Sequence, residues 1–386
     1  MLNNLRIRNF RMLEDLEISK LGRVNLIVGK NNSGKSTILE VLRIYAGKAN
    51  PKLLREILSE HDEFFELRNE LSTENKEQNW YGLKHLFIQR NFPIDDNTFI
   101  SIASGKTSLL VIEYLFYYTE EKFIHDQDGA IMGSNSKLVI VNPSKVSDFD
   151  LRIELVPALR ITFESGHKTL LDLAGDKRDF NLGYVHERPS IKYSYVSTEF
   201  LSQEKLAKLW DQIALTPNQD KVIQALKIID PEIEGLAFVK DQNGLSDRDI
   251  NRLAIAKLKN SENPVPLNSM GDGMSRILQL ILSVFPAKDG FLLIDEFELG
   301  LHYSVQEQVW RIIFELAKDL NIQVFATTHS WDCIESFTKV AVESPEDGIL
   351  LKVSKSRLTS DNGKVIATVY DEAELQTITA SDLEVR

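Results

Sequence analysis

Apolar residues recur along this chain in two rhythms, and each change of rhythm marks a new part. Residues 5–18 partly alternate apolar and polar side chains, which predicts an antiparallel strand pair. Val24-Asn25-Leu26-Ile27-Val28 is a short, mostly apolar run and predicts a buried strand. Residues 37–42 then open a helix, and Pro51 begins a charged, helix-like stretch to about Glu77. Between Trp80 and about Leu173 short strand-like runs dominate, among them 109–112, 138–141 and 159–163. Clusters rich in Gly, Asn, Asp and Ser at 126–129, 133–136 and 164–166 predict the breaks between them. Helical spacing returns over 202–229, with Leu206, Leu209, Trp210, Ile213 and Leu215 as its apolar stripe, and Pro231 ends it. Residues 237–239 predict a strand and 247–259 a helix. From Pro266 the order is helix (274–285), strand (291–294), helix (304–320), strand (323–326). That is α/β wiring, in which parallel strands deliver loops at their carboxyl ends. Runs at 348–353 and 363–369 suggest a small sheet and tail beyond it.

Composition narrows the classes. The 386 residues are 43% hydrophobic, enough for a large core and, by length, two or three domains. The longest apolar stretches, such as 277–285, are too short to span a bilayer, and the opening MLNNLRIRNF lacks the apolar core of a signal peptide. The single cysteine, Cys333, excludes an intramolecular disulfide and suits a reducing cytoplasm. A net charge of −12 argues against a broadly basic nucleic-acid surface but leaves room for a local patch. Arg248, Arg252, Lys257 and Lys259 form the one modest basic cluster, read first as a solvated helix face and second as a DNA contact. No long heptad run is present, which excludes a long coiled-coil tether.

Gly29-Lys30-Asn31-Asn32-Ser33-Gly34-Lys35-Ser36-Thr37 fits G-x-x-x-x-G-K-[ST], the Walker A phosphate loop. It lies between a predicted strand and a predicted helix, whose N-terminus would face the phosphates. Glycines there let backbone N–H groups close on phosphate oxygens, Lys35 can reach the β- and γ-phosphates, and the Ser36 hydroxyl can hold Mg²⁺. Phe291-Leu292-Leu293-Ile294-Asp295-Glu296 is an apolar strand ending in two carboxylates, a Walker B element. Asp295 would bind Mg²⁺, and Glu296 would polarise the attacking water. The strand 324–328 ends at His329-Ser330, where an imidazole can meet the γ-phosphate and that water. Met270-Gly271-Asp272-Gly273 precedes a helix and offers a second anion-binding N-terminus. His61, His85, His125, His167 and His186 show no metal-ligand spacing and read as surface or structural.

The order of Walker A loop, long insertion, glycine turn, Walker B and histidine resembles ABC-class ATPase heads. It is most similar to OLD-like (overcoming lysogenization defect) ATPases, many of which serve bacterial anti-phage defence. The residues that carry the likeness are Arg8-Asn9-Phe10-Arg11, Val24-Asn25 before the phosphate loop, Met270-Gly271-Asp272-Gly273, Ile294 through His302, and Thr327-Thr328-His329-Ser330. The resemblance implies that Arg11 lies near the nucleotide. It also implies that Met270, Gly271, Asp272 and Gly273 form the signature turn facing a partner's γ-phosphate, and that Glu298, Gly300, Leu301 and His302 form a D-loop at the dimer interface. Two residues depart from the broader pattern. Gly271 stands where the signature serine is expected, and Phe297 replaces the proline after Asp-Glu. Gln89 is a candidate for the Q-loop glutamine, with an ordinary strand residue as the alternative.

The expected fold is α/β: an ABC-type P-loop NTPase head with an N-terminal antiparallel β subdomain and a mixed α+β insertion. The head would comprise 1–50 and 232–345, the insertion 51–231 with a β-rich and a helical part, and the C-terminal extension 346–386. The expected activity is hydrolysis of ATP with Mg²⁺ by a cytoplasmic homodimer or higher oligomer, with no membrane partner. OLD nucleases carry a C-terminal Toprim domain. The 57 residues from Ser330 onward are too few to hold one, so a nuclease or Toprim-like effector is expected on a separate polypeptide. A RecF-like DNA-repair ATPase and a non-hydrolysing ATP-clamped scaffold are the alternatives.

Overall fold

The computed structural model describes residues 1–63, 80–125, 131–150, 152–173, 191–240, 252–344, 347–358, 361, 363–371, 374, 375 and 377. The chain opens with the expected hairpin, β1 (Leu5–Phe10) and β2 (Leu13–Ile18), followed by β3 (Val24–Val28) and helix α1 (Lys35–Ala46). Every residue of β3 is buried, Asn25 included, in keeping with its mostly apolar run. Helix α1 buries apolar residues all round, including Ile38, Leu39, Val41, Leu42 and Ile44, and so lies inside the molecule. Its two buried charges are neutralised. Glu40 meets Arg11 and His61, while Arg43 meets Glu56 and Glu60 and stacks 4.0 Å from the Tyr195 ring. Pro51 starts α2 (Pro51–Glu60), capped by the Asn50 side chain.

Strands β4 (Ile100–Ser104), β5 (Thr107–His125), β6 (Ile131–Val141), β7 (Val156–Phe163) and β8 (Lys168–Asp172) come next. The expected break at 133–136 is not there. Those residues continue β6, paired with 121–124 of β5, because ladder hydrogen bonds hold a hairpin arm whose side chains need not be apolar. The break at 164–166 is a turn between β7 and β8; that at 126–129 lies outside the described residues. Because β1 pairs with β4, the N-terminal hairpin and the β-rich stretch form one antiparallel sheet, in the order β2-β1-β4-β5-β7-β8 with β6 beside β5.

Beyond these lie β9 (Tyr193–Val196), α3 (Gln203–Asp211) and α4 (Pro217–Leu226). Leu206, Trp210 and Ile213 are buried, but Leu215 is 97% exposed in a left-handed turn, where the helical phase breaks before Pro217. β10 (Ile233–Lys240), β11 (Arg252–Leu258) and β12 (Val265–Pro266) make a small antiparallel sheet. The helix expected over 247–259 is therefore a strand from Arg252 on. Alternation of Ala254 and Ala256 with polar or half-buried neighbours fits its pairing with β10. The basic cluster is also partly neutralised, since Arg252 pairs with Asp211 and Lys257 with Glu234; Arg248 lies outside the described residues.

The last third follows the expected wiring: α5 (Asp272–Val284), β13 (Phe291–Ile294), α6 (Tyr303–Asp319), β14 (Gln323–Thr328), α7 (Trp331–Glu343), β15 (Gly348–Lys355) and β16 (Val365–Tyr370). Strands β15, β3, β14, β13 and β9 are parallel neighbours in that order, and β16 pairs antiparallel at the edge. Residues 348–355 are thus an inner strand of the main sheet rather than a separate small one. Likewise β9, from the stretch read as insertion, completes the opposite edge. One face of this sheet packs on α3 to α7, and the other on α1 and the antiparallel sheet. Buried amides tie its start: Asn25 Nδ2 donates to the carbonyls of Gly22 and Val324, and Gln323 Nε2 to those of Leu2 and Gly22.

Candidate active site

The phosphate loop leaves the carboxyl end of β3, the Walker B pair follows β13, and His329 follows β14, which lies between those strands. Parallel strands thus bring three distant segments to one edge. Gly29 allows the loop to lie against the sheet: a Cβ there would sit 2.2 Å from the Val353 carbonyl oxygen and 2.7 Å from Ser33 Oγ. Asn31 and Asn32 are exposed, Ser33 and Gly34 are buried, and Thr37 is half-buried in the first turn of α1. Ser33 Oγ is buried with no hydrogen-bond partner. Lys35 Nζ donates to the carbonyls of Gly29 (2.8 Å) and Lys30 (3.1 Å). Burial lowers the Lys35 pKa, opposed by the charges of Asp295, Glu296 and Glu298.

Ser36 Oγ donates to Asp295 Oδ1 at 3.1 Å, joining Walker A to Walker B. The Thr327 hydroxyl donates to the same oxygen and accepts from the Glu296 N–H at 2.9 Å. This matters because Glu296 has φ 48°, a left-handed conformation unfavourable for a side-chain-bearing residue. His329 Nδ1 is 3.1 Å from Glu298 Oε1 and 3.7 Å from Glu296 Oε1. Two hard oxygen donors, a hydroxyl and a carboxylate, stand together at Ser36 and Asp295, and they fit Mg²⁺. A carboxylate and an imidazole beside them can hold a water and take its proton.

Arg11 is placed differently from its expected role. The β1–β2 turn does touch the phosphate loop, since a Cβ on Gly34 would lie 3.1 Å from Leu13 and 3.6 Å from Met12 Sδ. The Arg11 guanidinium, however, forks onto Glu40 (2.6 Å) and Glu63 (2.6 and 3.1 Å). Gln89 is neither in a strand nor buried; it is exposed in a left-handed turn.

Gly271 caps α5 with φ 96° and ψ 161°, a conformation open to glycine and costly for serine. Met270 is half-buried, and Gly271 and Asp272 are exposed. A Cβ on Gly273 would lie 3.2 Å from the Gly300 carbonyl oxygen, so the turns expected to be the signature and the D-loop adjoin within one chain. Leu301 is buried, and exposed His302 caps α6, its Nδ1 2.8 Å from Ser304 Oγ. Phe297 fills a core position: its ring stacks on Trp310 at 3.7 Å.

Sequence reasoning passed over two residues. Thr327 stood out only within Thr327-Thr328-His329-Ser330, the strand end that helps carry the family likeness, with no role of its own. Arg276, fully buried, donates to the carbonyls of Ser197 (3.0 Å), Asp295 (3.2 Å) and Glu296 (3.0 Å), tying α5 to the Walker B turn. Burial pushes its guanidinium down to about 10, against the pull of Glu298, Asp295 and Glu296. An arginine one turn into an apolar helix pattern could have flagged this role.

The sequence is similar to known proteins along most of its length. The AAA ATPase domain model matches residues 1–249 and 189–334. An ATP/GTP phosphatase of Helicobacter pylori is 25% identical over 355 residues, covering 89% of each chain. An OLD nuclease of Thermus scotoductus is 22% identical over 369 residues, covering 86% of this chain and 59% of that protein. Among solved structures, an Smc head bound to the C-terminal winged-helix domain of ScpA aligns over 97% of this chain and 99% of that one, with 14% identity and a TM-score of 0.48. The parallel sheet with its phosphate loop, the antiparallel sheet across α1 and the family match agree on one conclusion: the chain is an ATPase with an ABC-type P-loop fold and belongs to the AAA ATPase domain family.

Proposed function

We propose that two copies of this chain close around ATP and that hydrolysis switches their grip on a separate effector, a nuclease or Toprim-like protein, in bacterial anti-phage defence. The observation that carries the catalytic part is the meeting of Ser36, Asp295, Thr327, Glu296 and His329 at one sheet edge. Gly29, Asn31, Asn32, Ser33, Gly34, Lys35, Ser36 and Thr37 cradle the phosphates. Ser36 and Asp295 would hold Mg²⁺, which when bound screens phosphate charge. Glu296 accepts a proton from water as its oxygen bonds the γ-phosphorus. The bond from that phosphorus to the bridging oxygen breaks, leaving ADP and phosphate. Lys35 steadies the charge that develops, and His329 orients the water. Gly271 and Gly273 of the opposite copy offer backbone N–H groups to the γ-phosphate, with Met270 and Asp272 framing that turn and Gly300, Leu301 and His302 at the shared surface. Likeness to an OLD nuclease supports the defence reading.

The test is to co-express the chain with the product of its neighbouring gene and measure phosphate release and effector activity. A stable complex whose effector activity depends on ATP supports the reading. Nuclease activity in the purified chain alone, abolished by a substitution outside the ATPase site, overturns it.

A further inference from the structure

Glu298 lies in the turn after Walker B, yet its side chain points inward and is only 11% exposed. Oε1 accepts from the His329 backbone N–H at 3.0 Å and lies 3.1 Å from His329 Nδ1. Oε2 is buried with no hydrogen-bond partner. Closing the turn requires one acceptor; burying a second carboxylate oxygen unpaired costs stability. A carboxylate kept there at that cost points to a use beyond the turn.

The use is legible in the imidazole. Glu296 Oε1 approaches the same Nδ1, at 3.7 Å. Carboxylates only accept hydrogen bonds, so a lone pair on Nδ1 facing two of them would be repelled. A ring proton on Nδ1 removes that repulsion. The His329 side chain is 52% exposed, and among the described residues Nε2 has no partner. We propose that Glu298 is a positioning residue that locks His329 in the Nδ1–H tautomer, leaving the Nε2 lone pair to accept a hydrogen bond from the attacking water beside Glu296. The orienting partner of a functional histidine sets which nitrogen acts. This inference rests on the catalytic role proposed for His329 and adds the residue that sets its state.

The test compares Glu298→Ala, Glu298→Gln, His329→Ala and the Glu298→Ala/His329→Ala double variant. Turnover is measured together with ATP KM and the ¹⁵N signals of the His329 ring. Glu298→Ala should lower kcat about tenfold or more with KM within about twofold, and move the ring toward Nε2–H. Glu298→Gln keeps an oxygen acceptor and a folded turn, and should fall between wild type and alanine. In the His329→Ala background, removing Glu298 should slow turnover no further. A wild-type ring already in the Nε2–H form overturns the proposal, as does Glu298→Ala at the wild-type rate while His329→Ala is slow, or additive losses in the double variant. If His329→Ala itself turns over normally, the role of His329 fails first.

Discussion

Replacing Arg276 with methionine tests how helix α5 is tied to the Asp295–Glu296 turn. Methionine fills much of the same buried volume but donates nothing. Three hydrogen bonds from a charged donor disappear, each with a net value of about 1.5–3 kcal/mol. Against this, holding the guanidinium charged where burial has pushed it down to about 10 costs ~3 kcal/mol, which methionine recovers. The balance is a loss of roughly 1.5–6 kcal/mol, or a Tm lower by about 2–7 °C for a chain of this size. Turnover should fall further than stability suggests, by about tenfold or more, because the freed carbonyls belong to Asp295 and Glu296 and small displacements of catalytic groups cost rate. Arg276→Lys keeps the charge but has no planar fork to reach both Ser197 and the Walker B turn, so it should recover less than half of the lost rate. Thermal unfolding and phosphate release on the three proteins decide the matter. An Arg276→Met protein with wild-type Tm and turnover would refute the reasoning.

Other substitutions test separate parts of the account. Glu296→Gln should slow hydrolysis by about 10²–10⁴-fold while ATP binding persists, read by phosphate release and nucleotide retention. Lys35→Ala should weaken ATP binding about 10–100-fold in a fluorescence titration, the value of a lost charge-assisted bond. Phe297→Ala removes the ring stacked on Trp310 and should cost about 3–5 kcal/mol, seen as a lower urea midpoint. The hydrogen bond to Glu40 raises the His61 pKa despite partial burial and the nearby Arg11. Its contribution to stability is full below the unfolded value of about 6.5 and is lost as pH rises through the folded one. His61→Gln should therefore be less stable than wild type at about pH 5.5, with the gap narrowing as pH rises through the folded pKa.

The chemistry of the site was legible where one short segment contains its own reason. Gly29 through Thr37 states its fold and ligand class together, and the apolar run 291–294 with its two carboxylates needed only a parallel sheet to become a site edge. Contacts between distant segments were not legible. Nothing local says that Arg276 reaches back to Asp295, that Glu298 turns inward to His329, or that Arg11 meets Glu40 and Glu63. Polar strands were also misread. Residues 133–136 have the composition of a turn but are held in β6 by the ladder, and 252–258 have the charges of a solvated helix but alternate as a strand. The departures at Gly271 and Phe297 gained physical reasons only in the fold: a positive φ at the start of α5, and a ring stacked in the core.

The central claim is that ATP joins two copies of this chain, and the molar mass of the purified protein by light scattering tests it most directly. With ATP and Mg²⁺, Glu296→Gln should double in mass to a lasting dimer, wild type should dimerise only transiently, and Lys35→Ala should keep its nucleotide-free mass. A Glu296→Gln protein whose mass is the same with and without ATP would contradict the account.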